Sequence, residues 1–307
     1  MTLRDILTLV LLAALWGASF IFMRVAAPVL GPAVLIDIRV WIAALGLLAV
    51  LAFRRQRPHI LHRSWRYLVL GAVNAALPFT LIATAELSLS AAVAAILNAT
   101  TPMFTALVAR VWISDPLTRK KLVGLLLGIL GVGVLVGWQG TDHNPSTGWA
   151  IAASLGAALA YGIGGVFSSR AFRGERPLDL ALGQQLGAAL VLLPLALVHP
   201  PTHWPSWPVV GSVLGLAILS TSIGYLLYFH LMARVGPVKT LTVTFLVPIF
   251  GVLWGAVFLQ EPLLPSMVVG LLIILASVVL VNNVPLPFQS TRLKQGPLSQ
   301  SGKGPHV

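Results

Sequence analysis

The 307-residue sequence contains no cysteine, which excludes disulfide frameworks, thiolate metal sites and cysteine nucleophiles. Charge is nearly as scarce: 9% of residues are charged, where a soluble globular protein carries about 25%. Acids are the rarest part of it, with eight Asp+Glu against twenty Lys+Arg and a net charge of +12. With 57% of its residues apolar, the chain cannot clothe a water-facing surface, and an ordinary soluble fold is excluded. A nucleic-acid-binding protein would gather its basic residues on a polar face. Here they fall in short clusters between long apolar runs, so no nucleic-acid partner is expected. Gly-x-Ser-x-Gly, His-Glu-x-x-His and P-loop motifs are missing as well. That leaves no basis for an intramembrane enzyme or for ATP hydrolysis by this chain, and no cofactor or metal is expected. The charged rings and filter loops of a selective channel are also lacking.

What is present is a series of apolar segments. A bilayer core needs about 20 apolar residues per helix. Ten segments qualify, at roughly 6–26, 33–53, 67–86, 89–112, 122–138, 148–169, 179–198, 209–232, 240–259 and 266–284. Placing the N-terminus inside puts Arg4, Arg54–Arg66, Arg110–Lys121, Arg170–Arg176, Arg234, Lys239 and the tail cations on one side. Of the twenty basic residues only Arg24 and Arg39 remain, near outer helix ends. The positive-inside bias therefore predicts a multi-pass inner-membrane protein with both termini cytoplasmic. The charge balance is topology, with a secondary attraction to anionic lipid heads. Residues 285–307, rich in Pro, Gly, Ser and Gln, read as a disordered cytoplasmic tail.

The chain also repeats itself. At an offset of 145, Trp16-Gly17 falls on Tyr161-Gly162, Pro32 on Pro177 and Arg39 on Gln184. At 146, Pro102 falls on Pro248, Asp115-Pro116-Leu117 on Glu261-Pro262-Leu263, and Val123–Leu126 on Val269–Leu272. Because five is odd, two five-helix units in series cross the membrane with opposite polarity. The expected architecture is all-α, with ten transmembrane helices in two inverted five-helix repeats, residues 1–143 and 144–284. That is an arrangement of secondary transporters, with the site near the midplane between the halves.

These elements resemble those of the EamA family of the drug/metabolite transporter superfamily. The likeness rests on Trp16-Gly-x-Ser19-Phe in the first helix, Arg39 in the second and mid-helix Pro102 in the fourth. Acid-Pro-Leu before a Gly-rich helix, repeated once, completes it. The resemblance spans about residues 6–284 and is nearest to the YddG-type exporters of aromatic amino acids. Asp115 stands where the family usually has Glu, and Tyr161 where it often has Trp. The resemblance implies export of aromatic or other large neutral amino acids. It also implies a cavity between helices 1–4 and 6–9, with Trp16, Ser19, Tyr161 and Gly162 facing it and helices 5 and 10 as supports. Drug, metabolite and nucleotide-sugar carriers share the fold.

Polar groups inside a bilayer need a reason. Arg39 and Asp37 in the second span either serve structure, by pairing or snorkelling, or serve a substrate carboxylate or gating. Glu86 is the best candidate for a titratable coupling group, with a plain structural role at a helix end as the alternative, and His230 reads as interfacial. No acid lies at mid-depth, which argues against a cationic-drug antiporter and for a neutral or zwitterionic small-molecule substrate. Such a substrate needs hydrogen-bonding groups beside an aromatic wall. Candidates are Asn74, Pro78, Phe79 and Thr80 in the third span, and Asn98 and Thr101 in the fourth. Ser220 to Tyr225 in the eighth and Thr244 in the ninth are their repeat counterparts. Pro78, Pro102 and Pro248 each free a backbone carbonyl, which either lines a polar cavity or is satisfied by neighbouring Thr hydroxyls. Four-residue glycine spacings serve packing, and no oligomeric state follows from them; a monomer suffices.

Overall fold

A computed structural model describes residues 1–137, 145–201 and 204–282, with Pro237 and Val238 by backbone alone. The described residues form no strand. Among the described residues, eight helices are long and apolar enough to cross a membrane. These are α1 (Leu3–Leu30), α2 (Pro32–Phe53), α3 (Leu61–Ala85), α4 (Ala91–Ile113), α5 (Arg119–Gly137), α6 (Pro145–Ala171), α7 (Pro177–Val198) and α8 (Trp207–Val235). Two shorter apolar helices follow, α9 (Val243–Leu259) and α10 (Pro265–Val281), of 17 residues each. All ten expected segments are therefore helical. The expected junction at 143/144, the end of the fifth span at 138, the last residues of the tenth and the tail from 285 lie outside the described residues.

Local chemistry sets the helix ends. The Thr2 hydroxyl accepts the Asp5 amide at 3.3 Å while the Asp5 carboxylate accepts the Thr2 amide at 2.8 Å, a reciprocal cap on α1. Pro32, Pro177 and Pro265 open α2, α7 and α10, where a missing N–H loses nothing. Ser114 and Gln260, 146 residues apart, both adopt a left-handed conformation that stops α4 and α9. Beyond each, the acid's amide turns back to a carbonyl: Asp115 to Ala109 at 3.2 Å and Glu261 to Gly255 at 3.1 Å.

Two long helices are interrupted by wider, π-type turns, α3 at Ala72–Ala76 and α8 at Gly215–Ile223. In α8 the loosened ladder is met by hydroxyls five residues on. Thr221 donates to the Leu216 carbonyl at 2.8 Å and Ser222 to Ala217 at 3.1 Å. Helix α4 has a short break between Asn98 and Thr101.

Packing brings distant helices together. Helix α1 lies along α8 and α9, and α6 along α3 and α4. Helix α2 faces α7, α3 also packs on α7, α8 on α2, and α5 pairs with α10. Between helices in lipid, close van der Waals contact takes over from the hydrophobic effect, and small residues permit it. A Cβ on Gly17 would come 2.6 Å from the Phe250 Cβ and 2.9 Å from the Gly251 amide nitrogen. One on Gly162 would come 2.9 Å from the Thr105 amide nitrogen and 3.0 Å from the Phe104 carbonyl carbon. Both crossings leave no room for a methyl group.

The outer surface is that of a membrane protein. Leu126, Ile129, Val257 and Leu272 are more than half exposed, which water would not favour and lipid does. Exposed Trp65, Trp112, Trp149 and Trp207 all lie within five residues of a helix end, as in an interfacial aromatic belt. Ion pairs gather at helix ends that the sequence assigns to the cytoplasmic side. They join Arg234 to Asp5 at 2.9 Å, Arg63 to Glu175 at 3.0 Å and Arg176 to Asp179 at 2.6 Å.

Candidate functional site

The buried polar residues converge where α2, α3, α6, α7 and α8 meet. Arg39, 4% exposed, extends from α2 with its Nε donating to the Thr221 hydroxyl at 3.0 Å. Its guanidinium carbon stands 3.7 Å from the centre of the Phe79 ring, and one Nη lies 3.9 Å from the Met23 sulfur. Tyr161 meets Phe79 edge-on with ring centres 6.1 Å apart. Pro78, also buried, sets the start of the α3 segment that carries Phe79.

A second chain of contacts runs alongside. The Asn74 amide donates to the Gln184 side-chain oxygen at 2.7 Å, and Gln184 donates to the Tyr225 hydroxyl at 2.7 Å. Asn74 emerges from the π-type turn of α3 directly against Gly164, where a Cβ would lie 2.5 Å from its Oδ1. Gln185 is fully buried beside the Tyr225 hydroxyl. Trp16 sits at the edge of this region. Its ring centre is 5.5 Å from that of Tyr228, and its Nε1 abuts Gly224.

The network thus draws in Arg39, Asn74, Phe79, Tyr161 and Tyr225 from among the expected residues. Ser19 is buried in α1. Thr101 and Thr244 turn their hydroxyls to backbone three residues earlier, onto the Asn98 carbonyl at 2.7 Å and the Leu241 carbonyl at 2.8 Å. The first of these satisfies the carbonyl that Pro102 leaves without an amide partner. The Asn98 side-chain oxygen is buried without a partner among the described residues. No described hydrogen bond or ring contact ties Ser19, Asn98, Thr101 or Thr244 to the network. Glu86 lies just beyond α3, fully buried, with both carboxylate oxygens free of donors among the described residues. Its backbone carbonyl accepts from Arg24.

Sequence reasoning passed over Gln184, Gln185 and Met23 as site residues. In the sequence Gln184 stands out only as the repeat counterpart of Arg39. The available signal was two adjacent amides inside an otherwise apolar α7. Glu261 was likewise only a landmark of the repeat. Its carboxylate caps α4, accepting the Ala91 amide at 2.8 Å and the Ala92 amide at 3.0 Å. The 146-residue counterpart differs. Asp115 instead binds Lys121 at 2.7 Å, and the position equivalent to Ala91 is Pro237, which has no amide hydrogen.

Apolar, lipid-length helices wrapped around a buried polar network define a multi-pass integral membrane protein. The model of the EamA-like transporter family matches residues 3–137 and 148–283, and the chain belongs to that family of membrane transporters. It is 27% identical to YvbV of Bacillus subtilis, named as an uncharacterized transporter, over 91% of this chain and 92% of that one. It is 26% identical to a protein of Streptantibioticus cattleyicolor named "Probable terminal-alkyne amino-acid exporter", over 91% and 93%. A solved crystal structure shares the fold with a TM-score of 0.65 at 17% identity, covering 89% of this chain and 94% of its own. The family expected from the motifs is thereby borne out.

Proposed function

We propose that the protein is a secondary transporter exporting amino acids, aromatic or other large neutral ones, across the inner membrane by alternating access. In this reading residues 1–143 and 144–284 are inverted five-helix repeats, all ten helices span the bilayer, and both termini are cytoplasmic. The observation that carries it is the exchange relation in the packing. Replacing each helix by its partner five places on turns the α1–α9 contact into α6–α4, α1–α8 into α6–α3, and α2–α8 into α7–α3. The α2–α7 and α5–α10 pairs map onto themselves, as elements on a two-fold axis must. Gly17 on Phe250-Gly251 and Gly162 on Phe104-Thr105 are the same crossing made twice.

In this reading the buried network would lie along that axis, beside the α2–α7 contact and the π-type turns of α3 and α8. In this reading Trp16, Ser19, Asn74, Pro78, Phe79, Asn98, Thr101, Tyr161, Tyr225 and Thr244 surround the substrate, with Arg39 and Glu86 in gating or coupling. Substrate binding lowers the barrier between inward- and outward-open forms. The amino-acid class rests on the family resemblance and on the relative named as an amino-acid exporter.

Uptake of labelled phenylalanine into proteoliposomes carrying the purified chain, competed with unlabelled metabolites, tests this reading. The expected result is saturable uptake blocked by aromatic amino acids, and running it with and without a pH gradient decides coupling. No uptake above empty liposomes by a folded preparation overturns the amino-acid assignment.

A further inference from the structure

Arg39 is a buried cation without an anion. Among the described residues it enters no ion pair, while Asp5, Asp115, Glu175 and Asp179 all find cationic partners elsewhere. Its three contacts are a hydroxyl, an aromatic face and a thioether. None of them neutralises it, and of its five N–H donors those on the second terminal nitrogen have no described partner.

Nor does the side chain escape to the headgroups. A snorkelling arginine runs outward along its helix. This one is bonded to Thr221, the fifteenth of the 29 residues of α8 and hence its midpoint, and lies under the Phe79 ring. A charge held at such depth without a counter-ion is strongly disfavoured unless something supplies one. Its electrostatic neighbours are the Tyr161 and Tyr225 hydroxyls, and Glu86 more weakly. Gln185, fully buried beside Tyr225, adds an amide donor. The site is rich in donors, carries one positive charge and has an aromatic wall. In the other half the equivalent position is the neutral Gln184, so the charge occurs once.

We propose that Arg39 is the anchor for a substrate carboxylate. The guanidinium takes the carboxylate through its free edge, the two tyrosine hydroxyls and Gln185 complete its hydrogen bonds, and Phe79 and Tyr161 hold the apolar part. A single cation matches a monocarboxylate better than a phosphate dianion, and it excludes amines and amides as good substrates. The inference rests on the transport reading above and deepens it by naming the group recognised.

The test is thermal unfolding of the purified full-length protein in detergent with matched pairs: 3-phenylpropionate against 3-phenylpropionamide, and L-phenylalanine against L-phenylalaninamide. The expected result is stabilisation by at least one acid at a concentration about tenfold or more below its amide. In Arg39→Gln that preference disappears. In Arg39→Lys, which keeps the charge but loses the planar fork, the acid binds about tenfold more weakly. Equal responses to acid and amide, no response to either pair, or a preference that survives in Arg39→Gln overturns the anchor. Should Arg39→Gln fail to fold, unchanged acid affinity in Arg39→Lys does the same. Preference for phenylpropionate with no response to phenylalanine keeps the anchor and removes the amino-acid reading. Phenylalanine transport with no dependence on Arg39 does the reverse.

Discussion

A side chain in a bilayer finds its partners inside the protein or not at all, so each polar residue reports its neighbours. Gln184 shows this best, bridging Asn74 in α3 and Tyr225 in α8 through two bonds of 2.7 Å. Gln184→Leu strips both partners at once. It should cost about 1–3 kcal/mol of stability, read as a lower melting temperature in detergent, and reduce uptake about tenfold or more. A melt and uptake equal to those of the unaltered protein would show that the bridge is dispensable. Arg39, Asn74, Phe79, Tyr161 and Tyr225 were legible in the sequence because each is a polar or aromatic group inside an apolar run. The bridge itself was not. Helical periodicity tells which face a residue occupies, whereas a bond between positions 110 apart depends on how the helices are assembled. The local bonds of Thr101 and Thr244 were hidden for a related reason, since a hydroxyl can turn inward to nearby backbone, and composition does not say which way it goes.

At the scale of the helix, the ends and interruptions differ in how far sequence announces them. Pro32, Pro177 and Pro265 mark starts plainly, and all ten expected segments turned out helical. The π-type turns at Ala72–Ala76 and Gly215–Ile223 carry no such mark, because a wider turn needs no special residue, and the Thr221 and Ser222 hydroxyls that meet the loosened ladder of α8 could as well have faced elsewhere. Helix α4 begins under a borrowed cap, the Glu261 carboxylate on the Ala91 and Ala92 amides. An anion on two first-turn amides meets both unpaired donors and the helix dipole. Glu261→Ala should therefore destabilise by about 1–2 kcal/mol. Asp115→Ala removes only a partly exposed pair with Lys121 and should cost about half a kcal/mol or less. Thermal melts of the two variants side by side check this, and equal shifts would refute the difference.

For the whole molecule, the sequence repeat was visible in glycines, prolines and acids that hold an offset of 145 or 146, and the family followed from the same residues. The orientation rests on loop charge alone, and the lack of native cysteine makes it easy to test. Single cysteines can be placed at Ser88, between α3 and α4, and at Gln56, after α2, both exposed. A membrane-impermeant maleimide should label Ser88→Cys in intact spheroplasts and Gln56→Cys only after permeabilisation. The opposite pattern would invert the topology and every assignment of inside and outside with it.

The cap on α4 bears on kinetics as well as on stability. One end of the molecule is clamped by two charge-assisted bonds, while the other has an aspartate committed to lysine and a proline without an amide to offer. Under the proposed alternating access, a clamp made in one facing and lost in the other would give the two facings unequal standing populations, by a factor of ten for each 1.4 kcal/mol of difference. The competent fraction scales the half-saturation constant seen from each side, so the two faces would saturate at different concentrations. For an uncoupled carrier the thermodynamic cycle still holds kcat/KM equal in both directions. Glu261 would then decide how full each face runs, and the gradient alone would decide which way the substrate goes.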